Sequence, residues 1–174
     1  MHDGTTKLRR VLCMFSLGAL LVVAGCTALP FSGPSVQERP VTVILNNSAS
    51  TSHTFEVSVV ELPAEYTIRF DDGRVDTTSI DQGITSHNPG DNQTFTAVEL
   101  PDSARLHGRY TLAAGETNQA SIEDFPRRFA VVVVVSRDVG EIVWYVTVNC
   151  HEQALAGFEV IRFSDSVGVS YGCV

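Results

Sequence analysis

Between residues 41 and 174 the chain repeats with a period of two almost everywhere. Val41, Val43 and Leu45 alternate with Thr42 and Ile44, and a polar stretch follows from Asn46 to Ser52. Phe55, Val57 and Val59 then alternate with Thr54, Glu56 and Ser58. Alternation places one set of side chains on one face of a strand, so these two runs predict a hairpin around the polar turn. Tyr66, Ile68 and Phe70 precede Asp71-Asp72-Gly73, a turn signal. Residues 74–92 are polar, contain Gly83 and Asn88-Pro89-Gly90, and predict a long surface loop. Further strands are predicted over 95–100, 109–112, 142–148, 158–163 and 167–171. The run Phe129 to Val135, with five consecutive valines, suits a central strand covered on both faces. No segment carries a 3.6-residue period with caps. Many short strands at this spacing predict an all-β sandwich or barrel, in one domain covering 41–174.

The first forty residues follow different rules. Lys7, Arg9 and Arg10 precede an apolar run from Val11 to Val23, broken by Ser16 and Gly18 and ended by Ala24-Gly25-Cys26. A positive segment, an apolar segment and small residues before a cut make a secretory signal. The cysteine directly after them resembles the lipobox of a secreted lipoprotein. The resemblance implies a signal peptide over 1–25, lipid attachment at Cys26 and a tether over 26–40, where Pro30, Gly33, Pro34 and Pro40 oppose regular structure. Other readings of the same segment are an ordinary signal sequence and an uncleaved span, near the lower length limit for crossing a bilayer. All of them put the remainder of the chain outside the cell. Arg9-Arg10 also resembles a twin-arginine export signal, and the sequence leaves the choice of export route open.

The lipobox divides the four cysteines. Cys13 leaves with the signal peptide and Cys26 takes the lipid, so Cys150 and Cys173 remain as an even pair in an oxidising compartment. A disulfide is the expected state there. It closes a loop of about 22 residues, a constraint of roughly 3–4 kcal/mol by chain entropy. Because Trp144 precedes both cysteines, the bridge is expected to staple the last strands rather than join two sheets in antibody fashion.

Charge changes the picture once the leader is set aside. Lys7, Arg9 and Arg10 are three of the 12 basic residues and Asp3 is one of the 20 acidic ones. The part from Cys26 onward therefore holds 9 basic and 19 acidic residues, a net charge of −10. All nine basic residues are arginine. An acidic surface without lysine stays soluble by self-repulsion, which salt screens. It argues against nucleic acid and against docking on anionic lipid by charge. Taken with the lipobox and the alternation, the chain resembles haloarchaeal surface lipoproteins of the β-sandwich kind. That resemblance implies an immunoglobulin-like β-sandwich of about 7–9 antiparallel strands. It also implies a position on the outer face of the membrane, with a cell-surface protein or glycan as partner. Asn46 and Asn92 stand in N-glycosylation acceptor patterns.

Candidate chemistry is sparse. His53, His87, His107 and His151 are separated by 34, 20 and 44 residues, without the tight pair that zinc sites show. A copper site of the cupredoxin kind needs two His, a Cys thiolate and usually a Met, and no Met follows Cys26. G-x-S-x-G, H-E-x-x-H and P-loop motifs are absent. The expectation is a lipid-anchored surface domain with a non-catalytic binding or structural role and no cofactor. The alternative is a metal-binding protein or hydrolase that uses Asp71, Asp76, Asp81 and His87 of the acidic 71–91 region.

Overall fold

Alternation in the sequence becomes alternation in burial. In β1 (Val41–Asn47) every odd-numbered residue is buried and every even-numbered one half-exposed. The structure is a computed structural model that describes residues 40–80, 83–90, 93–137 and 140–174. The next strands are β2 (His53–Glu61), β3 (Glu65–Phe70), β4 (Val75–Ser79), β5 (Gly83–His87) and β6 (Phe95–Glu99). They are followed by β7 (Arg105–Leu112), β8 (Thr117–Ile122) and β9 (Phe129–Arg137). The chain ends with β10 (Ile142–Asn149), β11 (Leu155–Arg162) and β12 (Val167–Cys173).

The strands form two sheets. The smaller has the order β12-β11-β1-β8, and the larger β4-β3-β6-β10-β9-β2-β7 with β5 also paired to β10. The all-β sandwich expected from the alternation is present. The described residues form twelve strands rather than 7–9, and one pair, β1 with β11, runs parallel instead of antiparallel. Parallel pairing requires a long crossover, here everything from β2 to β10.

Three local expectations are corrected. The two leading strands do not form a hairpin, because β1 and β2 belong to opposite sheets. The turn 48–52 crosses between them, held by Asn47, whose Nδ2 lies 2.8, 2.9 and 3.0 Å from the carbonyls of Thr51, Leu112 and Ala113. A buried amide at the end of β1 that satisfies carbonyls of the turn and of the end of β7 ties the crossover to the larger sheet. The region 74–92 is not one loop, since β4 and β5 lie within it; both are short and mostly polar, and β4 alternates in burial through Asp, Thr and Ser, which hydropathy alone does not register. The disulfide between Cys150 and Cys173, with Cα atoms 5.7 Å apart, joins the end of β10 in the larger sheet to the end of β12 in the smaller. It therefore ties the two sheets at one rim. Backbone bonds of 2.9 Å in both directions between Ala154 and Val174 flank it.

The valine run sits where its composition requires. β9 lies between β10 and β2, and Val131, Val133 and Val135 point into the core between the sheets, with Val43, Phe55 and Val160. Ala130 and Val132 point the other way, into a second core with Tyr66, Ile68 and Phe70 of β3. The ribbon of β4, β3 and β6 attaches to β10 through the single pair Ile142–Phe95. It thus covers the outer face of β9 and buries that strand on both sides. Each fully buried valine contributes roughly 1.5 kcal/mol or more by transfer from water.

The two ends of the sandwich differ. Val41, where the chain enters β1, pairs with Ile122 at the end of β8, and the disulfide lies at this same end. β1 and β11 run parallel and His53 pairs with Arg137. Asn47, His53, Arg137 and Arg162 therefore gather at the opposite end.

Candidate functional site

The acidic residues expected to hold a metal are engaged locally. Asp71 Oδ1 accepts the Thr94 backbone N–H at 3.2 Å, and the Asp71 N–H donates to the Thr94 carbonyl at 3.0 Å. Asp72 Oδ1 accepts the Arg74 N–H at 2.9 Å, an Asx-type turn that Gly73 completes with φ 84°. Asp76 lies 3.5 Å from Arg74 Nη1. His87 stacks on Tyr145 with centroids 5.2 Å apart. Asp81 falls outside the described residues. Among the described residues, no three His, Cys, Asp or Glu side chains come together as metal ligands do.

Of the remaining expected positions, Asn46 lies on the outward-facing side of β1, where its Oδ1 accepts the Ser48 hydroxyl at 2.9 Å. Asn92 and Cys26 lie outside the described residues.

A different constellation forms where the sandwich opens away from Val41. Arg162 ends the inward-facing series Phe158, Val160, Arg162 on β11, and is only 4% exposed. Its guanidinium donates from Nη1 to the Ser166 carbonyl at 3.0 Å and from Nη2 to the Ser164 carbonyl at 2.9 Å. Its Nε faces His53 Nε2 at 3.5 Å. His53 begins the inward-facing series His53, Phe55, Val57 on β2 and is 2% exposed. Its Nδ1 lies 3.0 Å from the Thr51 carbonyl. A nitrogen facing a carbonyl must carry the proton, which leaves Nε2 to accept from Arg162.

Among the described residues no carboxylate lies within ion-pair distance of Arg162. Burial, and after it the nearby charge of Arg137, pull the guanidinium below its ordinary pKa, while Asp165 opposes this at longer range. Arg137 pairs with Glu141 at 2.8 Å and is half-exposed. The two arginines, the loop Ala49–His53 and Ser164 line an open cleft of about 420 Å³. Trp144, the only tryptophan in the chain, has its ring centroid 5.9 Å from Arg162 Cζ and donates from Nε1 to Ser86 Oγ at 2.6 Å. Hydroxyls and two cations around a cleft suit anions or polar groups.

Sequence reasoning passed over this cluster. The signal was present in the alternation: His53 shares parity with Phe55 and Val57, and Arg162 with Phe158 and Val160. A charged residue that continues an apolar face is a buried charge in need of partners.

No protein-family model matches the sequence, and no curated protein matches it. Among solved structures the chain is similar to one titled "Trapped Toxin", with 11% identity over 78% of this chain and a TM-score of 0.35. It is also similar to the human-specific toxin intermedilysin, at 11% identity and a TM-score of 0.33. A disulfide-locked mutant of intermedilysin with human CD59 gives 10% and 0.33. The chain spans 23–24% of the length of those proteins. A likeness this slight says nothing of what the chain binds or does.

Proposed function

We propose that this protein is a lipid-anchored domain on the outer face of the cell membrane, with a non-catalytic binding role toward a cell-surface protein or glycan. The observation that carries the reading is the cysteine division. Removing Cys13 with the leader and acylating Cys26 leaves two cysteines, and these two form a bridge between the sheets. Disulfides of this kind persist outside the reducing cytosol. The net charge of −10 after residue 25 and the absence of lysine there support a salty exterior, where screening relieves self-repulsion. Within the domain, β1 begins at Val41 at one end of the sandwich and the Arg162 cleft opens at the other.

Expression of the full chain and of Cys26→Ser in a host with lipoprotein processing tests the anchor. The wild-type protein is expected in the membrane fraction and in the detergent phase after partition. Cys26→Ser is expected in the aqueous phase or the medium. Equal retention of both forms in the membrane would overturn the lipid anchor and favour a spanning segment.

A further inference from the structure

We propose that the cleft between the sheets at Arg162 is an oxyanion-binding site that takes the carboxylate or sulfate group of a small ligand. This goes beyond the anchored binding role, because it names the ligand chemistry and the residues.

The argument starts from an imbalance of charge. Arg162 as a residue is 4% exposed, so its charge has lost part of its hydration, and a buried charge is tolerated when it is paired. Arg162 has two carbonyls and a ring nitrogen as partners. These dipoles hold its orientation and do not neutralise it. The three bonds use three of the five N–H donors of a guanidinium, which leaves two for a group in the cleft. Arg137, across the same cleft, adds a second positive charge, and Glu141 at 2.8 Å accounts for only one of its donors. Ser50, Thr51, Ser52 and Ser164 supply hydroxyls around the rim.

The simplest competing reading is that Arg162 only caps the turn between β11 and β12 through Ser164 and Ser166. That role explains two hydrogen bonds. It does not explain why a second arginine faces the same cleft in a domain with twice as many acidic as basic residues. A cap also needs no cleft of about 420 Å³, a volume in the range of small-ligand sites. A two-oxygen anion matches the planar fork of arginine.

Trp144 provides the readout, because the only tryptophan of the chain sits beside Arg162. The processed protein, purified in neutral detergent, is titrated with sodium sulfate and with sodium glucuronate, with sodium chloride maintaining ionic strength. A saturable change in Trp144 fluorescence is expected. Saturation by both anions assigns the site to free oxyanions, and saturation by glucuronate alone assigns it to a carboxylate carried on a sugar. Arg137→Gln, at a half-exposed position that leaves the core intact, is expected to weaken binding roughly tenfold. Arg162→Lys, which keeps the charge and loses the fork, is expected to weaken it further. A fluorescence change that follows ionic strength alone, or one that Arg137→Gln leaves unaltered, would overturn the proposal.

Discussion

Tyr145 shows what burial does to a single titratable group. Its ring packs edge-on against Tyr66 at 5.4 Å and stacks on His87, and its hydroxyl meets the Tyr66 hydroxyl at 3.4 Å. Burial above all, then the hydrogen bond with Tyr66, raises its pKa well above the ordinary tyrosine range. The folded-state pKa therefore lies above the unfolded one, near 10. The stabilisation from this group is whole below about pH 10 and is lost as pH rises beyond it. Tyrosinate absorbance from Tyr145 is expected only together with loss of structure, and Tyr145→Phe is expected to lessen the alkaline loss of stability. Ionisation of Tyr145 in a protein that keeps its circular dichroism would contradict this. At the same scale, the candidate site was half legible. The parity of His53 and Arg162 was written in the alternation, but their meeting depends on the parallel pairing of β1 with β11, which no local pattern encodes.

Among the elements, the parallel pair is the least expected and the most exacting. β1 and β11 approach closely at Gly157, which faces Thr42. A Cβ at Gly157 would stand 3.0 Å from the Thr42 carbonyl oxygen and 3.3 Å from its Cβ. The obstacle is backbone, which yields little. Gly157→Ala is expected to destabilise the fold by about 1–3 kcal/mol, whereas Gly172→Ala on β12, with open space around it, is expected to be near neutral. Denaturant midpoints of the two variants check the difference, and equal midpoints would count against the β1–β11 register. Strands with strong alternation, such as β1, β2 and β9, were readable because one face is apolar. β4 and β5 were not, because the alternation of β4 is Val, Asp, Thr, Thr, Ser and the burial of both strands is partial. The partners of each strand were unreadable for a further reason: pairing is settled by which faces must be buried together, and that is a property of the assembled sheets.

At the scale of the whole molecule, one architecture joins three features that the chain keeps far apart. The incoming chain at Val41 and the disulfide occupy one end of the sandwich, and the arginine cleft the other. The cysteine division is the claim on which the proposed location rests, and the intact mass of protein extracted from membranes in detergent tests it most directly. The account predicts a chain that begins at Cys26, carries a lipid, and is two hydrogens lighter than the reduced form because Cys150 and Cys173 are joined. A lipid-free chain that begins elsewhere, or one with both cysteines reduced, would contradict it.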